Sequence, residues 1–290
     1  MKKIILFYLL VGLGMLLYSF GSATYENVKV NMEIKRFIES GIEVKRDVDN
    51  KLIYYEVENE DSSNEYNAFY DIEQQKLGQP GDILIASGST YPEVKVVDSI
   101  IGYYFGKHAA LVLSDGKLAE AMIGYADTEE VINYGLWSRD EENPTRTGIT
   151  ISSNYFLSSK SYSPNTVEYE HYGGFYSKEM FGVRVKGLTD EDRQAVSDFG
   201  MEIYDENPIY NFFFFINNHN GYYCTSFVRE AYSRLNSHNG DRKFNIDYDG
   251  FTITQNDIIL ARDTYLFSYF YVDDEGMGNI YYLKGDKKWT

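Results

Sequence analysis

Cys224 is the only cysteine in the 290 residues of this chain. A lone thiol has no intramolecular partner, so it is either an inert buried side chain or a working one. The surrounding residues, Tyr222-Tyr223-Cys224-Thr225-Ser226-Phe227-Val228, read as an aromatic approach to the first turn of a helix. A helix N-terminus offers unsatisfied N–H groups and the positive end of the macrodipole, both of which favour a thiolate. The backbone N–H of Cys224 would also be placed for the oxyanion that develops when a thiol attacks an acyl carbon. Residue type and position together point to nucleophilic chemistry.

Such a thiol needs a base within hydrogen-bond reach. Four histidines are available, and position alone does not choose among them. His108 starts a strand-like run after Gly106-Lys107, His171 lies in a polar irregular region, His219 precedes the cysteine in an Asn-rich loop, and His238 follows its helix. A third polar group usually orients the imidazole. Glu120 is the best candidate, because it interrupts Leu118-Ala119-Glu120-Ala121-Met122-Ile123, where an unpartnered charge is costly to bury. If His108–Leu113 and Leu118–Ile123 form a hairpin around Ser114-Asp115-Gly116, His108 and Glu120 meet diagonally on one face. The alternative is an ordinary strand with Glu120 turned to solvent.

The elements that must position these residues follow from patterning. Ile34, Phe37 and Ile38 have helical spacing ended by Gly41, and Leu52-Ile53-Tyr54-Tyr55 reads as a strand. The acidic stretch from Glu58 to Glu65 reads as a linker. Gln79-Pro80-Gly81-Asp82 is a turn into the buried strand Ile83-Leu84-Ile85-Ala86. A helix is expected over Val96 to Tyr104 and a strand at Val131 to Tyr134. Residues 138 to 174 are polar and read as a long surface excursion. Phe181 to Val185 is strand-like, and Thr189-Asp190-Glu191-Asp192 resembles a capping box opening a helix with Val196, Phe199 and Ile203 on one face. Phe227, Val228, Ala231 and Leu235 form the apolar stripe of the cysteine helix, and two aromatic strands flank Asp273 to Gly276.

Lys2-Lys3, an apolar run from Ile4 to about Phe20 and the small residues Gly21-Ser22-Ala23 have the order of a secretory signal with cleavage after Ala23. The competing reading is an uncleaved membrane anchor. The expected organisation is therefore a signal at 1–23, an N-terminal extension at 24–70 and a main domain at 71–290. The destination is export to periplasm, envelope or medium. Removing two lysines with the signal would move the formal charge from −17 to −19. A chain this acidic is repelled by nucleic acid and by anionic lipid, so no nucleic-acid partner is expected. No metal-ligand spacing or phosphate-binding loop is recognisable, and no cofactor is expected.

In this order the motifs resemble the permuted papain-like hydrolases of the NlpC/P60 superfamily, in particular the YiiX/YaeF-like branch. Gln79-Pro80-Gly81-Asp82-Ile83-Leu84 is similar to the family's opening strand, Lys107-His108-Ala109-Ala110-Leu111-Val112 to its histidine strand, and Leu118-Ala119-Glu120-Ala121 to its acidic strand. Tyr223-Cys224-Thr225-Ser226-Phe227-Val228 is similar to the nucleophile helix. The resemblance implies an α+β, circularly permuted papain-like fold, with an antiparallel sheet packed on helices and the nucleophile at a helix N-terminus. It implies Cys224 as nucleophile, His108 as base, Glu120 as the residue orienting the imidazole and Tyr223 as a residue lining the substrate site. Thr225 and Ser226 depart from the serine and glutamate common in relatives, which bears on substrate contacts. The implied partner is a peptide-like amide substrate such as a peptidoglycan stem. Two alternatives are a lipid acyl hydrolase or acyltransferase with the same thiol chemistry, with Phe212 to Phe215 touching acyl chains, and a non-catalytic binding protein keeping the fold.

Overall fold

Alternating and short apolar runs build a mixed α+β architecture around one large sheet. The computed structural model describes residues 2–58, 65–71, 76–86, 99, 102–104, 106, 108–122, 148–154, 156–157, 179–211, 221–240, 242–249, 252–287 and 289. The chain runs α1 (Lys2–Glu39), β1 (Gly41–Asp47), β2 (Leu52–Val57), β3 (Phe69–Asp71), β4 (Lys76–Leu77), β5 (Ile83–Ala86), β6 (His108–Val112), β7 (Leu118–Met122) and β8 (Gly148–Ser152). It continues as β9 (Glu179–Val185), α2 (Asp190–Asp205), β10 (Ile209–Tyr210), β11 (Gly221–Tyr222), α3 (Cys224–His238), α4 (Gln255–Leu260), β12 (Thr264–Val272) and β13 (Gly278–Leu283).

Eleven strands form one sheet in the order β1-β2-β13-β12-β9-β5-β6-β7-β8-β10-β11, with β3 and β4 a separate pair. The sheet is mixed where a purely antiparallel one was expected. β2 lies parallel to β13, and β10 parallel to β11, while the other pairings are antiparallel. Both parallel pairs join segments that no tight turn connects, so nothing in local sequence announces them. β1 also escapes pattern reading, because its side chains are largely exposed and charged, as suits a strand at the sheet edge. Residues 52–57 of the expected N-terminal extension are strand β2 of this same sheet.

The helices behave as their sequences dictate. Thr189 caps α2: its hydroxyl oxygen accepts from the Asp192 N–H, and Asp192 accepts from the Thr189 N–H. α3 buries Phe227, Val228, Ala231 and Leu235, its apolar stripe, against β6 and β7, and packs side by side with α2. Burying side chains of this size stabilises by about 1.5–3 kcal/mol each. α1 is continuous through Ala23, and among its described side chains the buried apolar ones, Ala23, Val30 and Ile34, lie in its second half. In the first half Leu10, Leu13, Met15 and Leu17 are exposed. Among the described residues no helix is long and apolar enough to cross a membrane. The linker expected before Glu65, most of the helix expected over 96–104, the strand expected at 131–134 and the aromatic run at 212–216 lie outside the described residues.

Part of the 138–174 segment is not a surface excursion. Gly148–Ser152 is β8, paired with β7 inside the sheet, and Phe156 and Leu157 are fully buried. Its Gly-Ile-Thr-Ile-Ser alternation is short, and the polar residues around it mask the period.

At the centre of the molecule the Asp82 carboxylate is buried with Arg184 and Arg193. Arg184 donates from Nε at 2.9 Å to Oδ1 and from Nη2 at 2.6 Å to Oδ2, and Arg193 donates from Nη1 at 3.3 Å to Oδ1. Arg184→Met should cost about 3–5 kcal/mol in urea unfolding, because it breaks the closer ion pair of a buried carboxylate and leaves it, of the two arginines, only Arg193 at 3.3 Å. A loss below about 1 kcal/mol would show that Arg193 and the Gln79 N–H suffice for the Asp82 charge.

Candidate active site

The thiol sits where the sequence places it, at the first residue of α3. Tyr223 is the N-cap, with extended backbone, and the first-turn N–H groups of Cys224, Thr225 and Ser226 precede the helix's own acceptors. The first main-chain bond of the helix is from the Phe227 N–H to the Tyr223 carbonyl, 2.9 Å. Ser226 Oγ accepts from the Tyr223 N–H and donates to the Tyr223 carbonyl, both at 2.9 Å, which pins the approach to the helix. Thr225 Oγ1 donates to the Ile253 carbonyl at 2.7 Å. Both hydroxyl side chains therefore hold backbone. The Tyr223 ring is packed into the core with 1 % of its surface accessible, whereas Cys224 retains 9 %.

His108 opens β6, and its register explains why it meets Glu120. Ala110 pairs with Glu120 across β6 and β7, so His108, two residues earlier, lies diagonal to Glu120 on the same face. On the other side Glu120 pairs with Thr150, which makes Ser152 of β8 its second diagonal neighbour. The side chains follow this line. His108 Nε2 is 2.8 Å from Glu120 Oε2, and Ser152 Oγ donates to Glu120 Oε1 at 2.6 Å. Glu120 is fully buried, so the solvent-facing alternative for it is ruled out. Cys224 lies close enough to His108 to raise the imidazole's proton affinity.

His108, Glu120 and Ser152 thus form one hydrogen-bonded line across three strands, with Cys224 of α3 beside His108. Ser152 escaped sequence reasoning because it lies within the segment read as an excursion; the alternation of residues 148–152 was the available signal. Gln255 was missed as well. Its Nε2 donates to the carbonyls of Ala86 (3.1 Å) and His108 (3.0 Å), tying the ends of β5 and β6 to α4. Gly106 makes room for this side chain: it has a φ of +77°, and a Cβ there would fall 2.3 Å from Gln255 Cγ. Of the other histidines, His238 is exposed at the far end of α3, while His171 and His219 lie outside the described residues.

Burial opposes a charge on His108, but hydrogen bonds to Cys224 and Glu120, together with their negative charges, outweigh it and push the imidazole up from 6.5 to about 10. The one group of described His, Cys, Asp or Glu side chains arranged to hold a cation comprises Glu26, Asp249 and Asp257, none of them in this line. No family model and no curated protein matches this chain.

Because the folded state binds the His108 proton more tightly than the unfolded chain, the associated stability is complete below about pH 6.5 and is lost as pH rises through about 10. The difference in unfolding free energy between wild type and His108→Gln should therefore shrink between pH 6.5 and pH 10. A difference that grows with pH would contradict the ion pair. Ser152→Ala removes a hydrogen bond from a buried carboxylate and should cost about 1–3 kcal/mol by denaturant titration. No measurable loss would mean that another group takes over the Glu120 oxygen.

Proposed function

We propose that the protein is a thiol hydrolase that cleaves an amide bond through a thioester on Cys224. The observation that carries this reading is the placement of a helix-start thiol beside an imidazole that a buried carboxylate orients. A structural cysteine needs none of these features, and a working one needs all of them. The order of the elements, with the histidine strand before the nucleophile helix, supports assignment to a permuted papain-like fold. The apolar segment after Lys2-Lys3 supports export of the protein.

Each group has a role in this scheme. The Cys224 thiolate attacks the carbonyl carbon, and the oxyanion forms beside the N–H groups of the first turn of α3. The C–N bond then breaks as the His108 imidazolium gives its proton to the departing amine, leaving an acyl thioester. Neutral His108 next takes a proton from water, whose oxygen attacks the thioester; the C–S bond breaks, the acid is released, and the Cys224 thiolate and His108 imidazolium are restored. Glu120 holds the ring in one tautomer through both halves, and Ser152 holds Glu120. The substrate class is peptide-like, as in peptidoglycan stems, and the acidic chain favours cationic groups on it.

Two measurements test this. Iodoacetamide at mildly acidic pH should alkylate Cys224 readily, and His108→Ala should slow that reaction by about 10²-fold or more. An unreactive thiol would sink the enzyme reading, and unchanged reactivity in His108→Ala would remove the histidine from its role. Incubation with soluble cell-wall fragments should release new amines with wild type and none with Cys224→Ser. Release of fatty acid from phospholipid vesicles instead would replace the amide by an acyl-lipid substrate.

A further inference from the structure

Outside the thiol site, three carboxyl groups from separate parts of the chain converge. Glu26 of α1, Asp249 of the loop before α4 and Asp257 of α4 each place a carboxylate oxygen within 4.8 Å of the other two. Glu26 and Asp257 are buried, and Asp249 is exposed. Three like charges at this separation repel one another, and two of them have lost their water.

The hydrogen bonding around Asp257 is lopsided. Oδ2 accepts from the Thr254 N–H at 2.8 Å and from the Thr254 hydroxyl at 2.6 Å, closing the capping box of α4. Oδ1 is shielded from solvent and has no hydrogen-bond partner, although the residue is only 1 % exposed. A buried carboxylate oxygen left without a donor is costly, and such an oxygen is what a hard cation seeks. The capping box occupies Oδ2, so Oδ1 is the Asp257 oxygen left without a donor. At Glu26, Oε1 accepts from Ser22 Oγ at 3.1 Å.

The electrostatics agree with the geometry. Burial raises Asp257 to about 7; the Thr254 hydrogen bonds oppose this, and repulsion from Asp249 and Glu26 adds to it. Burial likewise raises Glu26, against the Ser22 bond and with Asp249 adding repulsion. A positive charge among the three would remove the repulsion and satisfy Oδ1 together.

We propose that Glu26, Asp249 and Asp257 form a binding site for a hard divalent cation, with calcium the best match, which clamps α1 to α4. Three carboxylates supply part of a six- to eight-oxygen shell at one edge exposed to water, an arrangement that calcium tolerates better than the strictly octahedral magnesium ion. The interface already has the polar character such a clamp requires: Asn256 Nδ2 donates to Asn27 Oδ1 at 3.1 Å beside the cluster. Two residues before Asp257, Gln255 bonds the His108 carbonyl, so the clamp would fix α1 to the helix that buttresses the histidine strand.

Terbium, which takes calcium's ligands, reports the site through sensitisation by Tyr25 and Tyr248, each next in sequence to a proposed ligand. With full-length, chelator-stripped protein, tyrosine excitation should give terbium emission that saturates and that calcium displaces, with calcium affinity at about 10⁻³ M or tighter. Asp257→Asn keeps the size of the side chain and should weaken calcium binding at least about tenfold. Asp249→Asn, at an exposed position where folding is not at risk, should also weaken it. Calcium should raise the melting temperature of wild type and leave Asp257→Asn unmoved. Absence of saturable binding, or binding by both variants equal to wild type, overturns the site. An Asp257→Asn protein more stable than wild type, with calcium affecting neither, would make the trio a proton-sharing cluster and equally overturn it.

Discussion

A carboxylate placed in the middle of the protein imposes the arrangement on which the site rests. Asp82 follows the Pro-Gly turn and has no surface accessible to water, so its charge must be met by protein groups. Arg184 of β9 and Arg193 of α2 meet it, and Arg184 also donates from Nη1 to the Tyr66 carbonyl at 2.7 Å and from Nη2 to the Asn67 carbonyl at 3.2 Å. One ion group therefore joins the loop before β3, the turn into β5, strand β9 and helix α2. A buried group of this kind contributes little net stability compared with an apolar substitute, but it makes misplacing any of its parts expensive. What it fixes is the start of β5, and β5 fixes β6: Ile83 pairs with Leu111 and Ala86 with His108.

From there the geometry propagates by register. Strand pleating puts His108, Ala110 and Val112 on one face, and antiparallel pairing brings Glu120 and then Ser152 onto a diagonal across β6, β7 and β8. A one-residue slip in either pairing would turn Glu120 to the opposite face, and the line would be broken. The thiol comes from another direction. α3 lies over β6 and β7 through Phe227 and Val228, so its N-terminus hangs above the end of β6. Strand register sets the polar line and helix packing sets the sulfur, and the two meet at His108.

Local residues made much of this legible. The capping box at Thr189, the apolar stripe of α3, the hairpin around Ser114-Asp115-Gly116 and the diagonal of His108 and Glu120 depend on contacts close in sequence, or on a two-residue period. What stayed hidden depends on pairing between distant segments. Ser152 gains its place through β8, a strand of five residues within a polar stretch, and Gln255 acquires meaning only when α4 reaches the β5–β6 ends. The mixed character of the sheet was hidden for the same reason, since parallel partners bring no turn to mark them. Arg184 and Arg193 read as ordinary strand and helix residues, because nothing local says that an arginine will be buried.

The parallel pairing of β2 with β13 has a consequence for the order of assembly. Leu52 lies beside Gly278 and Val57 beside Leu283, so about 220 residues separate the two strands. The β6–β7 hairpin closes across a few residues, whereas the β2 seam must overcome the closure entropy of that long loop. Until β13 is in place the apolar residues Leu52, Ile53 and Tyr54 lack one sheet neighbour, and such a strand is prone to pair with a neighbouring chain. β1 is already at hand, since the turn at residues 48–51 folds it back onto β2. Its Glu43, Lys45 and Arg46 cover one edge of β2 with charge, a local guard that forms without the distant strand β13 on the other edge.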